Sequence, residues 1–171
     1  LTAIIGFQQV PFPFLPRHLT LIGTFSIGVP GFFLALAANE SLVRPGFLRR
    51  VLSFSLPAGL ISGLVTWVAY SVAREQALSL DQARTVATLT LLGLGLVVLV
   101  VASAPIRPWK VALAGSMGSL YALFIIVPFL RDFFELVVPT TSMLSIGASA
   151  VAIGGALIVA VPRIMPLLRE S

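Results

Sequence analysis

The sequence predicts an all-α membrane protein, a polytopic bundle of five full transmembrane helices preceded by the end of a sixth. The chain is 58% hydrophobic and only 10% charged, with a mean hydropathy of +1.06, whereas soluble domains carry about 25% charged residues. Its apolar stretches also run for about 20 residues without a charge, which is the length needed to cross a bilayer core. Composition and patterning therefore exclude a soluble globular domain.

Five long apolar stretches follow one another, with short charged links between them. A shorter one, Leu1–Gln8, precedes them and is interpreted as the end of another helix. The chain begins within that stretch without a charged region or cleavage site, so we expect no signal peptide and a piece of a longer protein. We interpret residues 1–171 as membrane domain throughout, with no soluble domain. The predicted full spans are His18–Ala38, Phe47–Ala73, Ala83–Ala104, Trp109–Leu130 and Thr140–Val161.

The basic residues alternate between the two ends of the spans, and short cytoplasmic loops are rich in Lys and Arg. One end, formed by the links after the first and third spans and by the tail, has Arg44, Arg49, Arg50, Arg107, Lys110, Arg163 and Arg169. The other end has fewer basic residues and holds acidic ones as well. This bias predicts a multi-pass plasma-membrane protein with a cytoplasmic C-terminus. It also accounts for the net charge of +5 without nucleic-acid binding, because no aromatic patch interleaves with the basic residues.

The most informative segment is a proline-rich link that leads into the first full span. The link contains Pro11, Pro13 and Pro16, and the span carries the sequence Gly28-Val29-Pro30 near its middle. Such a break leaves backbone carbonyls without helical donors, and a membrane helix tolerates this only against protein or a polar cavity. Freed carbonyls are also potential ligands for a cation, so the break is a candidate for function. A plain kink is the structural alternative.

The segment PFPFLPRHLTLIGTFSIGVPGFFLALAAN resembles the link and sixth membrane helix of P-type cation-transporting ATPases. It resembles most closely the actinobacterial E-type branch, whose implied substrate is calcium. Later pieces resemble the family in the same order: RPGFLRRVLSFSLPAG the start of the seventh helix, ARTVATLTLL the start of the eighth, and VPFLRDFFELVVP the link between the ninth and tenth. The resemblance covers nearly the whole chain. It implies the C-terminal half of a transport domain, from the end of helix five to helix ten.

The resemblance also separates what this segment supplies from what its parent protein would supply. The sequence has no Asp-Lys-Thr-Gly motif, no Gly-rich phosphate loop outside the membrane and no cysteine. We therefore expect no catalytic site and no bound cofactor in this segment. ATP hydrolysis with Mg²⁺ is implied for the parent. The expected partners are the lipid bilayer, the transported cation, and the parent's N-terminal membrane helices and cytoplasmic domains.

The resemblance implies a cation path along the broken helix, but the residues depart from the pattern of the reticulum-type calcium pumps. Those pumps have an ion-ligating aspartate immediately before the Gly-x-Pro, and this position is Ile27 here. Their eighth-helix glutamate falls near Gly95. Calcium favours oxygen ligands, commonly several carboxylates, and none of the five full spans has a carboxylate in its interior. Charge would then come from helices of the parent outside this chain, and one bound ion is an open alternative to two.

The hypothesis for this segment is a set of neutral oxygens on the transported-cation path, both backbone carbonyls and hydroxyls. On a regular helix Thr24 and Ser26 point roughly 200° apart, so both can face one ion only if the helix unwinds. The alternative is that each hydroxyl bonds back to the preceding turn. The residues assigned to the path are Thr24, Ser26, Ile27, Gly28, Val29 and Pro30.

Other polar residues near the span ends have simpler interpretations. His18 lies beside Arg17 and is predicted to be an interfacial anchor, because a metal ligand needs partners. Asp132 and Glu135 follow the fourth full span and are predicted to face solvent near Arg131.

Two other functions remain alternatives to the pump. A non-catalytic membrane scaffold or assembly module is compatible with the Gly-xxx-Gly face formed by Gly59 and Gly63 and with the lack of charge within the spans. Small residues let membrane helices approach closely. A fragment of a secondary transporter would also use broken helices, but that class commonly has a second, matching broken helix, and none is evident in the sequence.

Overall fold

The computed structural model describes residues 11–36, 47–76, 79–103 and 108–164. Within these ranges the chain is helical and has no strand. The predicted helix end at Leu1–Gln8, the link at 37–46, and most of the C-terminal tail lie outside the described residues. The described elements are α1 (Pro16–Gly23), a π-helical turn (Thr24–Gly28), α2 (Val29–Leu36), α3 (Phe47–Gln76), α4 (Leu80–Ala102), α5 (Pro108–Ile126), α6 (Pro128–Phe133) and α7 (Thr141–Ile164).

Five helical segments of the described chain are long and apolar enough to cross a membrane. The first, called the broken span below, comprises α1, the π turn and α2 and runs over Pro16–Leu36. The other four lie within α3, α4, α5 and α7. This confirms the prediction of an all-α polytopic membrane bundle.

The end of the fourth span differs from its prediction. We expected this helix to continue to Leu130, but α5 ends at Ile126. Pro128 has no amide hydrogen and disfavours helical conformation in the residue before it. Val127 is accordingly extended, with φ −78° and ψ 114°. The chain then resumes as the short α6. Proline alone does not end a helix in this chain, because α3 runs through Pro57 without interruption.

Helix α4 is the centre of the bundle. It packs against α3, α5, α7 and the π turn, while α3 and α7 also pack against each other. In its most apolar window 39% of α4 is buried, compared with 17–28% in the other spans. Close approach at α4 depends on two glycines, since a Cβ at Gly93 would lie 2.8 Å from Cγ2 of Val151 and one at Gly95 would lie 2.8 Å from Cβ of Ser26. Small residues commonly permit such packing between membrane helices.

The predicted Gly-xxx-Gly face on α3 behaves differently. No described atom outside its own helix neighbourhood lies within 4 Å of a Cβ built at Gly59 or Gly63. The residue between them on the same helix, Ser62, is by contrast buried. The tight helix contacts of the described bundle are therefore made by α4 and α7 rather than by this face.

Several hydrogen bonds tie the proline-rich link to one end of the bundle, where α1 and α4 begin and α3 ends. The Tyr70 hydroxyl donates to the carbonyl of Pro11 at 2.8 Å, and Nε of Arg84 donates to the carbonyl of Phe12 at 3.3 Å. At the same end, the Val137 amide donates to Oγ1 of Thr85 at 3.1 Å. These bonds fix where the broken span enters the bundle.

Candidate functional site

The predicted break in the first span is a single π-helical turn. The residues on its two sides keep helical backbone angles, φ −60° and ψ −41° at Gly23 and φ −64° and ψ −48° at Val29. The helix therefore widens at Thr24–Gly28 without unwinding. Single π turns inside α-helices occur frequently at functional sites.

The π turn and the proline together remove hydrogen-bond donors from two carbonyls. The Val29 amide donates to the carbonyl of Thr24, five residues earlier, and Pro30 has no amide hydrogen. The carbonyl of Phe25 therefore has no helical donor. The amide four residues later, that of Val29, bonds to Thr24, and the residue five positions later is Pro30. The carbonyl of Ser26 loses its ordinary α-helical donor because the residue four positions later is also Pro30.

These two carbonyls lie slightly upstream of the ones that the sequence indicated. We expected freed carbonyls around Ile27, Gly28 and Val29, at the Gly-Val-Pro sequence itself. The π turn moves the hydrogen-bond register by one residue, which adds the Phe25 carbonyl to that of Ser26. A π turn has no sequence signature comparable to that of proline, so the sequence did not reveal this position.

The π turn has two faces of different character. The side chains of Phe25 and Ser26 form the closed face, and these two residues are only 4% and 8% exposed. Thr24, Ile27 and Gly28 form the open face, and Ile27 is 71% exposed. The structure thus places the two candidate hydroxyls, those of Thr24 and Ser26, on different faces and does not bring them together.

The closed face is held by three contacts. The Ser26 hydroxyl donates to the carbonyl of Ile22 at 2.5 Å, which is the bond to the preceding turn that the sequence left as an alternative to cation binding. The Phe25 ring packs edge-on against Phe124 of α5, with centroids 5.2 Å apart. Gly95 of α4 meets Ser26 so closely that an added Cβ would overlap it. Because calcium needs several oxygens at about 2.3–2.6 Å, no calcium site fits between Ser26 and Gly95 in this arrangement.

The chemistry available at the π turn is that of neutral oxygens. Among the described residues, no group of three His, Cys, Asp or Glu side chains lies close enough to hold a metal ion. Apart from Thr24 and Ser26, the residues of the predicted path have no side-chain oxygen. Val29 is half-buried and Pro30 is buried. Any cation at the π turn would need negative charge from outside the described residues.

His18 differs from its prediction, because the structure buries it completely instead of leaving it at an interface. Its Nδ1 accepts a hydrogen bond from the Leu15 amide at 3.4 Å, and its Nε2 lies 2.9 Å from the carbonyl of Phe134. An amide can only donate and a carbonyl can only accept. The imidazole is therefore neutral with its hydrogen on Nε2, and it links the start of α1 to the segment after α6.

The charged residues around His18 form two ion pairs, one of which joins separate elements. Arg17 donates to the carbonyl of Phe133 at 2.7 Å, and its guanidinium lies 3.2 Å from the carboxylate of Glu135. Asp132 pairs with Arg131 at 3.4 Å, near the position that the sequence suggested. Glu135 instead reaches the start of the broken span, so this acidic residue supports the helix that carries the π turn.

Comparison with known proteins identifies relatives of this chain. It is 36% identical over 162 residues to "Calcium-transporting ATPase CtpE" of Mycolicibacterium smegmatis, which covers 92% of this chain and 20% of that protein. The proteins of the same name in Mycobacterium bovis and Mycobacterium tuberculosis are each 37% identical over 155 residues, covering 86% of this chain and 19% of theirs. Nearly the whole chain is therefore similar to a part of these calcium-transporting ATPases. It spans about a fifth of the length of these relatives.

Two further comparisons gave no match. No family model matches the chain, and no solved structure matches it. The similarity to P-type ATPases therefore rests on the relatives, on the quoted segments in their order, and on the five apolar helices. It agrees with the resemblance to the actinobacterial calcium branch.

Sequence reasoning missed two features of the π turn that the structure reveals. One is the Phe25 carbonyl, which depends on the π register. The other is the contact between Ser26 and Gly95, whose positions are far apart in the chain. The sequence did not show which element Gly95 approaches.

Proposed function

We propose that this chain is the C-terminal half of the transport domain of an ATP-driven calcium pump, and that the cation binds on the open face of the π turn. One observation carries this proposal: in the middle of an apolar span, the π turn and Pro30 leave the carbonyl of Phe25 without a helical donor and the carbonyl of Ser26 without its α-helical donor. Freed carbonyls at such breaks are common cation ligands in membrane transport proteins. The relatives are named calcium-transporting ATPases, which supports calcium as the cargo.

The open face is the side from which the rest of the pump would approach. Thr24, Ile27 and Gly28 are exposed in the described bundle, while the closed face packs against α4 and α5. The relatives are about five times longer than this chain. In the proposal, N-terminal membrane helices of the parent cover the open face and bring the carboxylates that a divalent cation favours. The closed contact between Ser26 and Gly95 favours one bound ion in this half over two.

Within this arrangement each part of the protein has a distinct role. ATP and Mg²⁺ act in cytoplasmic domains of the parent. The broken span lines the ion path, and α3 to α7 support it. The proline-rich link lies outside the cell and the C-terminus in the cytoplasm, since the end of the spans that includes the C-terminus carries more Lys and Arg. The surrounding medium is the bilayer of the plasma membrane, which the uncharged spans require.

The deciding experiment is phosphoenzyme formation from ATP by the purified full-length protein. Calcium is titrated against magnesium, manganese and potassium, and we expect phosphoenzyme to depend on calcium. If a folded protein forms no phosphoenzyme with any of these ions, the pump is excluded. The scaffold would then be favoured, since Gly59 and Gly63 offer an unoccupied small-residue face.

Two hydroxyl variants refine the ligand set in the same assay. We expect Thr24→Ala to raise the calcium concentration for half-maximal phosphorylation more than Ser26→Ala does, because Thr24 is on the open face and the Ser26 hydroxyl already bonds to Ile22. Unchanged calcium dependence in Ser26→Ala would remove the Ser26 hydroxyl from the path. The reverse order of the two effects would place the cation on the closed face and overturn the assignment.

A further inference from the structure

Gly95 of α4 is the point at which the bundle touches the π turn most closely. We propose that Gly95 is a positioning residue: its missing side chain sets how deeply the π turn packs into the bundle, and thereby fixes the freed carbonyls for the cation. This inference rests on the proposed function, because it concerns affinity at the same site. Gly95 itself contributes no side-chain ligand.

The contact between Gly95 and Ser26 leaves no room for adjustment by side-chain rotation. A Cβ at Gly95 would lie 2.8 Å from Cβ of Ser26 and 3.2 Å from its Oγ. Real Cβ atoms essentially never approach another atom to less than 3.0 Å. The Cβ of Ser26 is bonded directly to the backbone of the π turn, so a different rotamer moves Oγ and leaves the larger overlap unchanged.

The π turn is also held from its other sides. The Ser26 hydroxyl is bonded to the carbonyl of Ile22, and the Phe25 ring rests edge-on against Phe124. Phe124 in turn packs against Phe134, with ring centroids 5.4 Å apart. A methyl group at position 95 must therefore displace the backbone of the π turn or of α4. A displacement of the π turn moves the carbonyls of Ser26 and Phe25 directly.

A second glycine on the same helix provides a matched control. A Cβ at Gly93 would lie 2.8 Å from Cγ2 of Val151 on α7, the same separation as at Gly95. The two substitutions therefore add the same group to the same helix with equal initial overlap. They differ in what is displaced, because Gly93 faces a valine methyl group on α7 and Gly95 faces the π turn.

The test uses the full-length protein and the calcium dependence of phosphoenzyme formation from ATP. Calcium ligands must lie within a narrow range of distances, so we expect Gly95→Ala to raise the half-maximal calcium concentration about tenfold, with the phosphoenzyme level at saturating calcium within about twofold of wild type. Gly93→Ala should leave the half-maximal calcium concentration within about twofold of wild type. A general loss of stability would instead lower the phosphoenzyme level at saturating calcium, and would not raise the half-maximal calcium concentration alone.

A double-mutant cycle shows whether the effect passes through Ser26. Ser26→Gly removes the Cβ that the new methyl group would meet, so adding Gly95→Ala to Ser26→Gly should change the half-maximal calcium concentration by less than about twofold. This comparison is independent of any role of the Ser26 hydroxyl, because both proteins lack it. It also decides the matter if Gly95→Ala alone does not fold: the double variant should fold and match Ser26→Gly.

Three results would overturn the inference. The first is an unchanged half-maximal calcium concentration in Gly95→Ala, and the second is an equal change in Gly93→Ala. The third concerns the Ser26→Gly background: there the effect of Gly95→Ala persists in full, or the double variant fails to fold. Failure of the proposed function gives a different result, since the wild-type protein would then form no calcium-dependent phosphoenzyme at all.

Discussion

The broken span and α4 are similar in sequence character but differ in structure. Both are strongly apolar, with mean hydropathies of 1.9 and 2.5 in their membrane windows, and each contains at least two glycines. The broken span widens into a π turn before Pro30, whereas α4 passes through Gly93 and Gly95 without interruption. Glycine alone therefore does not break a membrane helix here. In α4 it allows close contact, and only the broken span loses carbonyl donors.

The two spans are also anchored differently at the same end of the bundle. The broken span is tied to the segment after α6 by the buried imidazole of His18, which bonds to the carbonyl of Phe134. Helix α4 is tied to the same segment through Thr85, whose hydroxyl accepts from the Val137 amide and donates to the carbonyl of Asp81. The segment after α6 thus bonds to both the broken span and α4.

Restoring the missing donor should have the largest effect. Pro30→Ala returns an amide hydrogen to the helix, and an interior proline costs a helix about 3 kcal/mol. We expect the π turn to revert to regular α-helix. The calcium concentration for half-maximal phosphorylation should then rise at least about tenfold, while the unfolding temperature should not fall. The control is Pro57→Ala, which changes a proline inside α3 and should leave calcium dependence unaltered. Equal effects of the two variants would mean that the break has no special role.

Removal of the His18 anchor should have the next largest effect, on stability. His18→Ala removes a fully buried imidazole and leaves the carbonyl of the half-buried Phe134 without its donor, and such a loss costs about 1–3 kcal/mol. Arg17→Ala is the neighbouring control, because the Arg17–Glu135 pair is largely exposed and exposed pairs contribute about 0–1 kcal/mol. Thermal unfolding of the full-length protein in detergent measures both. A larger loss in Arg17→Ala would show that the contacts of Arg17 with Phe133 and Glu135, and not the imidazole, join the broken span to the segment around the end of α6.

Two threonines of α4 should respond in opposite directions. The Thr90 hydroxyl is buried and has no hydrogen-bond partner among the described residues, so Thr90→Val should be neutral or stabilise the protein by up to about 1 kcal/mol. Thr85→Val removes the acceptor of the Val137 amide and should destabilise by about 1 kcal/mol. Denaturation of the two variants side by side provides the comparison. A loss in Thr90→Val as large as in Thr85→Val would indicate that a buried water or another group completes the Thr90 bond.

The number, order and character of the spans could be predicted from the sequence, because hydropathy and charge act over whole segments. Pro30 could be predicted to free a carbonyl, since its missing amide is a local property. The π register at Thr24–Gly28 could not, because it depends on packing of Phe25 and Ser26 against two other helices. The burial of His18 was missed for the same reason, since its partner Phe134 lies 116 residues away.

The smallest effect should come from a glycine of the broken span that makes no close contact. No atom of the described residues outside its immediate helix lies within 4 Å of a Cβ at Gly31, in contrast to Gly95. Gly31→Ala should therefore raise the free energy of unfolding only by the difference in helix propensity, about 1 kcal/mol or less. It should leave the half-maximal calcium concentration within about twofold of wild type. Phosphoenzyme titration and thermal unfolding of the full-length protein measure both quantities. A marked loss of either would mean that a helix beyond the described residues packs directly on Gly31, and that the broken span, like α4, uses glycine for close contact.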